Sequence, residues 1–184
     1  MAFDWNFIPI LITAASGLGG VWLGGHLTSK REAVREADRV KREASYLAVL
    51  VVAHLDRFVN GCVEVSFDDG TDEGQPAGHD GVYHKRTVTA PTFDPLELKV
   101  DWKVLPAKLM YGVLNLPYRT EQLEIQIERA SVYDVPPDFL SMFQTRQRGY
   151  AQLGLEVSAL VQKLREHAGL PLDAPAVNTS HRDD

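Results

Sequence analysis

Apolar positions are continuous along one stretch of this chain and periodic along three others, and that contrast predicts its organisation. From about Phe7 to Leu27 the chain is apolar on all sides, and no Asp, Glu, Lys or Arg lies between Asp4 and Lys30. A helix rising about 1.5 Å per residue needs roughly 20 such residues to cross the hydrocarbon core of a bilayer. Backbone in lipid must satisfy its own hydrogen bonds, so a helix is the one single-segment solution. Pro9 falls in the first turn, where its missing N–H matters little. Trp5 and Phe7 suit the outer interface.

The periodic stretches begin where charge appears. Residues 30 to 43 hold six basic and four acidic side chains. Asp38–Arg42 and Arg39–Glu43 are spaced to support a helix. Val34, Ala37, Ala44, Ala48, Val51, Leu55, Phe58 and Cys62 make a helical stripe, with Lys41 the charged interruption. This predicts one long helix from about 29 to 65, with its continuity into the apolar segment left open. Tyr46 to Leu55 is apolar on every side. About ten residues are too few to cross a membrane, and Asp56 and Arg57 follow, so a core helix is expected.

A second stripe runs through Leu109, Val113, Leu116, Thr120, Leu123, Ile127 and Ala130, with Pro106 at its start. Pro117 interrupts it and predicts a kink or break near Asn115. After Pro136-Pro137 a third stripe takes in Leu140, Phe143, Tyr150, Gly154, Val157, Val161 and Leu164, ended by Gly169 and Pro171. Gln147 lies on this stripe and needs a hydrogen-bond partner if buried. Arg146 and Arg148 are read as off the stripe and solvated.

Between the first and second stripes lies a stretch of different character. Glu64 to Asp80 contains Glu64, Asp68, Asp69, Asp72, Glu73 and Asp80 with no Lys or Arg, and four glycines fall from Gly61 to Gly78. A solvated acidic loop is expected. Arg86 to Pro95 is β-branched with prolines and reads as extended chain lying against the helices rather than a sheet strand.

The expected fold class is mostly α: a single N-terminal transmembrane helix, then an antiparallel helical bundle of about three long helices, with an acidic loop and a short extended segment. The expected divisions are a transmembrane anchor over 1–28, a charged juxtamembrane stalk over 29–45, a cytoplasmic bundle over 46–170 with its loop over 66–104, and a polar, disordered tail over 171–184.

Charge then sets orientation. Lys30, Arg31, Arg35, Arg39, Lys41 and Arg42 follow the apolar segment, whereas only Asp4 precedes it. The positive-inside rule places this basic cluster in the cytoplasm and the N-terminus outside, in the cell (inner, cytoplasmic) membrane. A cleaved signal peptide wants its positive charge before the apolar run, and Ala14-Ala15-Ser16 is a poor cleavage site. A buried core helix of this length would be more than a domain of this size usually hides. Five glycines in the segment keep open a weaker helix that inserts with partners.

Those glycines fall in a pattern. Ser16, Gly20, Gly24 and Thr28 are four apart and share one helix face, and small residues at this spacing let helix backbones approach closely in lipid. Self-association through this face is expected, beside the alternative that glycine is simply common in membrane helices. The remaining expected partners are membrane lipid and a cytoplasmic protein. The basic cluster adds about 1 kcal/mol of attraction to anionic lipid per charge near the surface, much of it cancelled by the interleaved acids.

Composition narrows the chemistry. A net charge of −6 argues against nucleic-acid binding. The single cysteine, Cys62, precludes an internal disulfide and fits a reducing compartment. An EF-hand counted from Asp68 fails at Gly70, Glu73 and His79. His79 and His84 with Asp80 match no zinc spacing. His54 beside the first stripe reads as structural. No P-loop, GxSxG or HExxH occurs, and Gly17-Leu18-Gly19-Gly20 lies inside the apolar span. No cofactor and no catalysis are expected. The reading is a membrane-anchored interaction or scaffold protein. The alternatives are a membrane-active effector assembling through its Gly-rich helix, and a hydrolase whose site is built from distant residues.

Overall fold

In the computed structural model the chain is described over residues 8–172, and its side chains over 29–172. It is mostly helical. Helix α1 runs from Ile8 to Phe67, α2 from Ala107 to Leu114, α3 from Leu116 to Val132 and α4 from Leu140 to Ala168. A minimal hairpin pairs β1 (Thr71–Asp72) with β2 (Gln75–Pro76), antiparallel, with Thr71 opposite Pro76. The chain divides into two compact units, Met1–Glu43 and Ala44–Asp184.

In the first unit α1 is helical from Ile8, and residues 29–43 are exposed throughout. Arg39 bridges Glu36 at 2.6 Å and Glu43 at 3.9 Å, the latter pair being one the spacing predicts. Val34 and Ala37 open the expected stripe yet are exposed. The stripe becomes a core face only from Ala44, because no described element covers the helix before it.

In the second unit Leu47, Val51, Leu55, Phe58, Cys62 and Val65 of α1 join one core cluster. Across from them stand Val113 of α2, Leu116, Leu123 and Ile127 of α3, and Phe143, Tyr150, Val157, Val161 and Leu164 of α4. Burying a Leu or Phe side chain is worth about 1.5–3 kcal/mol, so this cluster is the main favourable term. Helix α1 is long and apolar enough to cross a membrane, and the length and composition that qualify it fall within Ser29–Phe67. That is the part whose inner face forms this core. Tyr46 and Val49, expected inside, lie on its open side.

The predicted break is present: α2 ends at Leu114, and α3 resumes after Asn115. Pro117 supplies no N–H, and its ring excludes the carbonyl one turn earlier, so a helix cannot continue unbroken through this point. Asn115 N–H closes the last turn of α2 on the Tyr111 carbonyl at 2.9 Å. The C-terminus of α4 follows its sequence signal. Gly169 has φ +65, and Leu170 N–H reaches back to the Arg165 carbonyl at 2.9 Å. The start of α4 differs from expectation: Leu140 is exposed, and Met142 and Phe143 take the core position. Phe139, with φ +48, sets the helix entry, and Leu140 falls on its outer side.

The connection from α1 to α2 is largely irregular. Gly70, with φ +81, lets the chain turn where a Cβ would meet Phe143 Cε2 at 2.8 Å and His84 Cβ at 2.9 Å. Arg86 to Pro95 forms no strand, and Val88, Ala90 and Phe93 pack on the core, as its composition predicts.

Candidate functional site

Two constellations stand out in the second unit. The first is buried and polar. Asp68, just after α1, has a fully buried side chain and pairs with Arg146 of α4, itself 1% exposed. This overturns two expectations: Arg146 is not solvated, and Asp68 is not part of a merely solvated loop. The physical reason is mutual, since each charge brings the other a partner that the rest of the core lacks. Arg146 Nη1 donates to Asp68 Oδ2, and Nη2 donates to the Val88 carbonyl at 2.6 Å. Arg146 Nε is buried without a hydrogen-bond partner among the described residues.

Asp68 gathers further donors. Thr87 Oγ1 donates at 2.8 Å, Thr87 N–H and Val88 N–H at 3.1 Å, and Gly70 N–H at 3.1 Å. Burial pushes its carboxyl up, but the Thr87 hydroxyl and the N–H groups of Val88, Gly70 and Thr87 outweigh it and hold the carboxyl below its ordinary value. With its lone pairs so occupied, Asp68 is a structural acceptor rather than a base. Gln147 finds the partner it needs, donating to the Asp68 carbonyl at 3.1 Å.

The network continues outward. Tyr150, one turn after Arg146, donates its hydroxyl to Glu124 at 2.6 Å, and burial followed by this bond pushes the phenol up. Arg86 spans Glu124 at 3.3 Å and Glu128 at 2.8 Å. Two successive residues of the extended segment, Arg86 and Thr87, are thus tied to α3 and to the Asp68 carboxylate.

The second constellation is a cleft of about 930 Å³ between His54 of α1, the segment 92–98 and the start of α3. Phe93, Leu98, Leu114 and Tyr118 give it apolar walls, and Asp94, Glu97 and Glu121 give it carboxylates, with no Lys or Arg in the lining. The His54 ring lies 6.2 Å from that of Phe93.

The residues singled out from sequence are distributed otherwise. Lys30, Arg31, Arg35, Arg39, Lys41 and Arg42 are exposed along α1 in the first unit. Ser16, Gly20, Gly24 and Thr28 lie where side chains are outside the described residues, as does the tail from residue 173. His79 pairs with Asp80 at 3.0 Å on the surface, while His84 packs edge-on against Phe143. Among the described residues no group of three or more His, Cys, Asp or Glu is placed to hold a metal ion.

One signal for Arg146 was present in the sequence. Phe143, Arg146, Tyr150, Leu153 and Val157 step by three and four, so Arg146 belongs to the buried stripe.

Cys62 is fully buried, and burial pushes its thiol up to about 12. Its reaction with iodoacetamide at pH 8 should be slow in the native protein and complete within minutes in denaturant. Equal rates in the two conditions, followed by mass, would place the thiol at the surface.

No family model, no curated protein and no solved structure matches this chain.

Proposed function

We propose that this chain is a single-pass, membrane-anchored helical interaction protein whose role is binding rather than catalysis. In this reading Phe7–Leu27 spans the cell (inner, cytoplasmic) membrane with the N-terminus outside. Residues 29–43 are a juxtamembrane stalk, and Ala44 to Ala168 form an antiparallel helical bundle in the cytoplasm that holds a protein partner. Ser16, Gly20, Gly24 and Thr28 provide a face for self-association in lipid.

The observation that carries the reading is the state of residues 29–43. They are helical and exposed on every side, with charge all round, between an apolar segment and a core helix. A polar helix without packing partners is what a solvent-crossing stalk requires. The basic residues Lys30, Arg31 and Arg35 lie at its membrane end, where they fix orientation.

Membrane fractionation with carbonate extraction tests the anchor, and a reporter fused after Asp184 tests the orientation. The protein is expected in the carbonate-resistant pellet with a cytoplasmic reporter. Neutral replacements of Lys30, Arg31 and Arg35 should scramble the reporter's side. Release by carbonate would remove the anchor from the reading, and an external reporter would reverse its topology.

A further inference from the structure

Helix α3 has two faces, and only the inner one is used by the core. On its outer face Tyr118, Ile125 and Val132 recur every seven residues, with exposures of 58%, 36% and 73%. Glu121 and Glu128, also exposed, recur at the same spacing between them. The face is therefore a second heptad stripe, apolar and acidic in alternation. It begins in the cleft, which Tyr118 and Glu121 line, and continues into a shallower depression of about 420 Å³ lined by Glu121, Ile125, Glu128 and Val132. From Tyr118 to Val132 the stripe is about 21 Å long at 1.5 Å per residue, the length of a four-turn helix.

We propose that the cleft and the outer face of α3 form one docking groove for a basic amphipathic helix of a partner protein. The charge of the surface selects this occupant. Asp94, Glu97, Glu121, Glu124 and Glu128 line the two depressions, against Arg129 as the single Lys or Arg among the lining residues. Arg86 engages Glu124 and Glu128 from beside the groove, which leaves the surface acidic in balance. A helix carrying apolar residues at heptad spacing would set them against Tyr118, Ile125 and Val132, and Lys or Arg beside them would face Glu121 and Glu128. Complementary charge fixes register and speeds encounter, while the apolar anchors hold the complex.

The inference rests on the reading of the chain as an interaction protein, and the two fail separately, because anchoring is read by carbonate extraction and docking by binding. The probe is a fluorescein-labelled four-turn peptide with leucines at heptad spacing flanked by lysines. It is titrated with the full chain in uncharged detergent, where the micelle background is common to all variants. Glu121→Gln with Glu128→Gln should weaken binding about three- to tenfold and flatten its salt dependence. Ile125→Ser with Val132→Ser should weaken it about tenfold or more. Both variants should keep the helical circular dichroism of the parent, since none of these side chains lies in the core. Asp69→Asn, just before the hairpin, should bind as the parent does. Equal affinity of all variants, or equal affinity for a peptide with glutamates in place of its lysines, would overturn the proposal. Self-association of the chain that the Ile125 and Val132 changes abolish would overturn it too, by assigning the face to a second copy.

Discussion

Replacing Arg146 by Met is expected to lower the stability of the second unit by about 3–5 kcal/mol. The loss follows from what the substitution leaves behind rather than from the strength of the pair. Asp68 would keep a buried carboxylate without its counter-charge, and the Val88 carbonyl would lose its donor at 2.6 Å. Arg146→Lys should recover only part of the loss, because one ammonium cannot serve the Asp68 carboxylate and the Val88 carbonyl as the two Nη atoms do. Chemical denaturation of the parent, both Arg146 variants, Asp68→Asn and the double variant would give the coupling directly. A loss below about 1 kcal/mol for Arg146→Met would mean that the pair is hydrated and energetically a surface pair.

The same network sets an acid limit. The Asp68 carboxyl titrates below its ordinary range in the folded protein, so the unfolded chain takes up the proton first as pH falls. Its stabilisation is therefore complete above the unfolded value of about 4 and is lost as pH drops through the folded value. Melting temperature followed from pH 7 to pH 2 should fall more steeply for the parent than for Asp68→Asn.

Val157→Asp is expected to prevent stable folding of the second unit. Val157 is 1% exposed and faces the core from the middle of α4. A carboxylate there would have no donor, and burying it ionised or neutral costs at least several kcal/mol, comparable with the whole stability of a domain this size. Leu123→Asp, on the facing helix, should act in the same direction. Asp72→Asn, on the exposed hairpin, should shift stability by only about a few tenths of a kcal/mol. Cooperative melting of Val157→Asp near the parent's midpoint would show that α4 is not packed as described.

Helix existence and type were legible in the sequence because apolar spacing is a local signal. The break at Asn115 and the stop at Gly169 were legible for the same reason: Pro117 and Gly169 act through their own backbone geometry. The buried ion pair was not legible, because Asp68 and Arg146 are far apart in the chain, and each alone looks like a surface residue. Assigning the third stripe through Gln147 instead of Arg146 compounded this, since a charged residue was assumed to be solvated. The cleft was invisible for a related reason. His54, Phe93 and Tyr118 come from three segments, and nothing in any one of them announces the other two. The extended segment Arg86–Pro95 was read correctly as packed chain, but its role in supplying Thr87 and Val88 to Asp68 depends on contacts that local composition does not encode.

The way Asp68 binds the chain on both sides of the acidic stretch has a bearing on evolution and engineering. Its carboxylate holds Gly70 on one side and Thr87 and Val88 on the other, so residues 69 to 86 leave and return at a single fastened point. Once the ends of such an excursion are fixed, doubling its length adds only about 0.6 kcal/mol of closure entropy. Residues 71 to 82 within it are therefore free to lengthen, shorten or carry a grafted epitope while the helices beneath keep their registry. The residues that must stay are those at the clasp, Gly70 and His84 where they meet Phe143, and Arg86 where it holds Glu124 and Glu128 of α3.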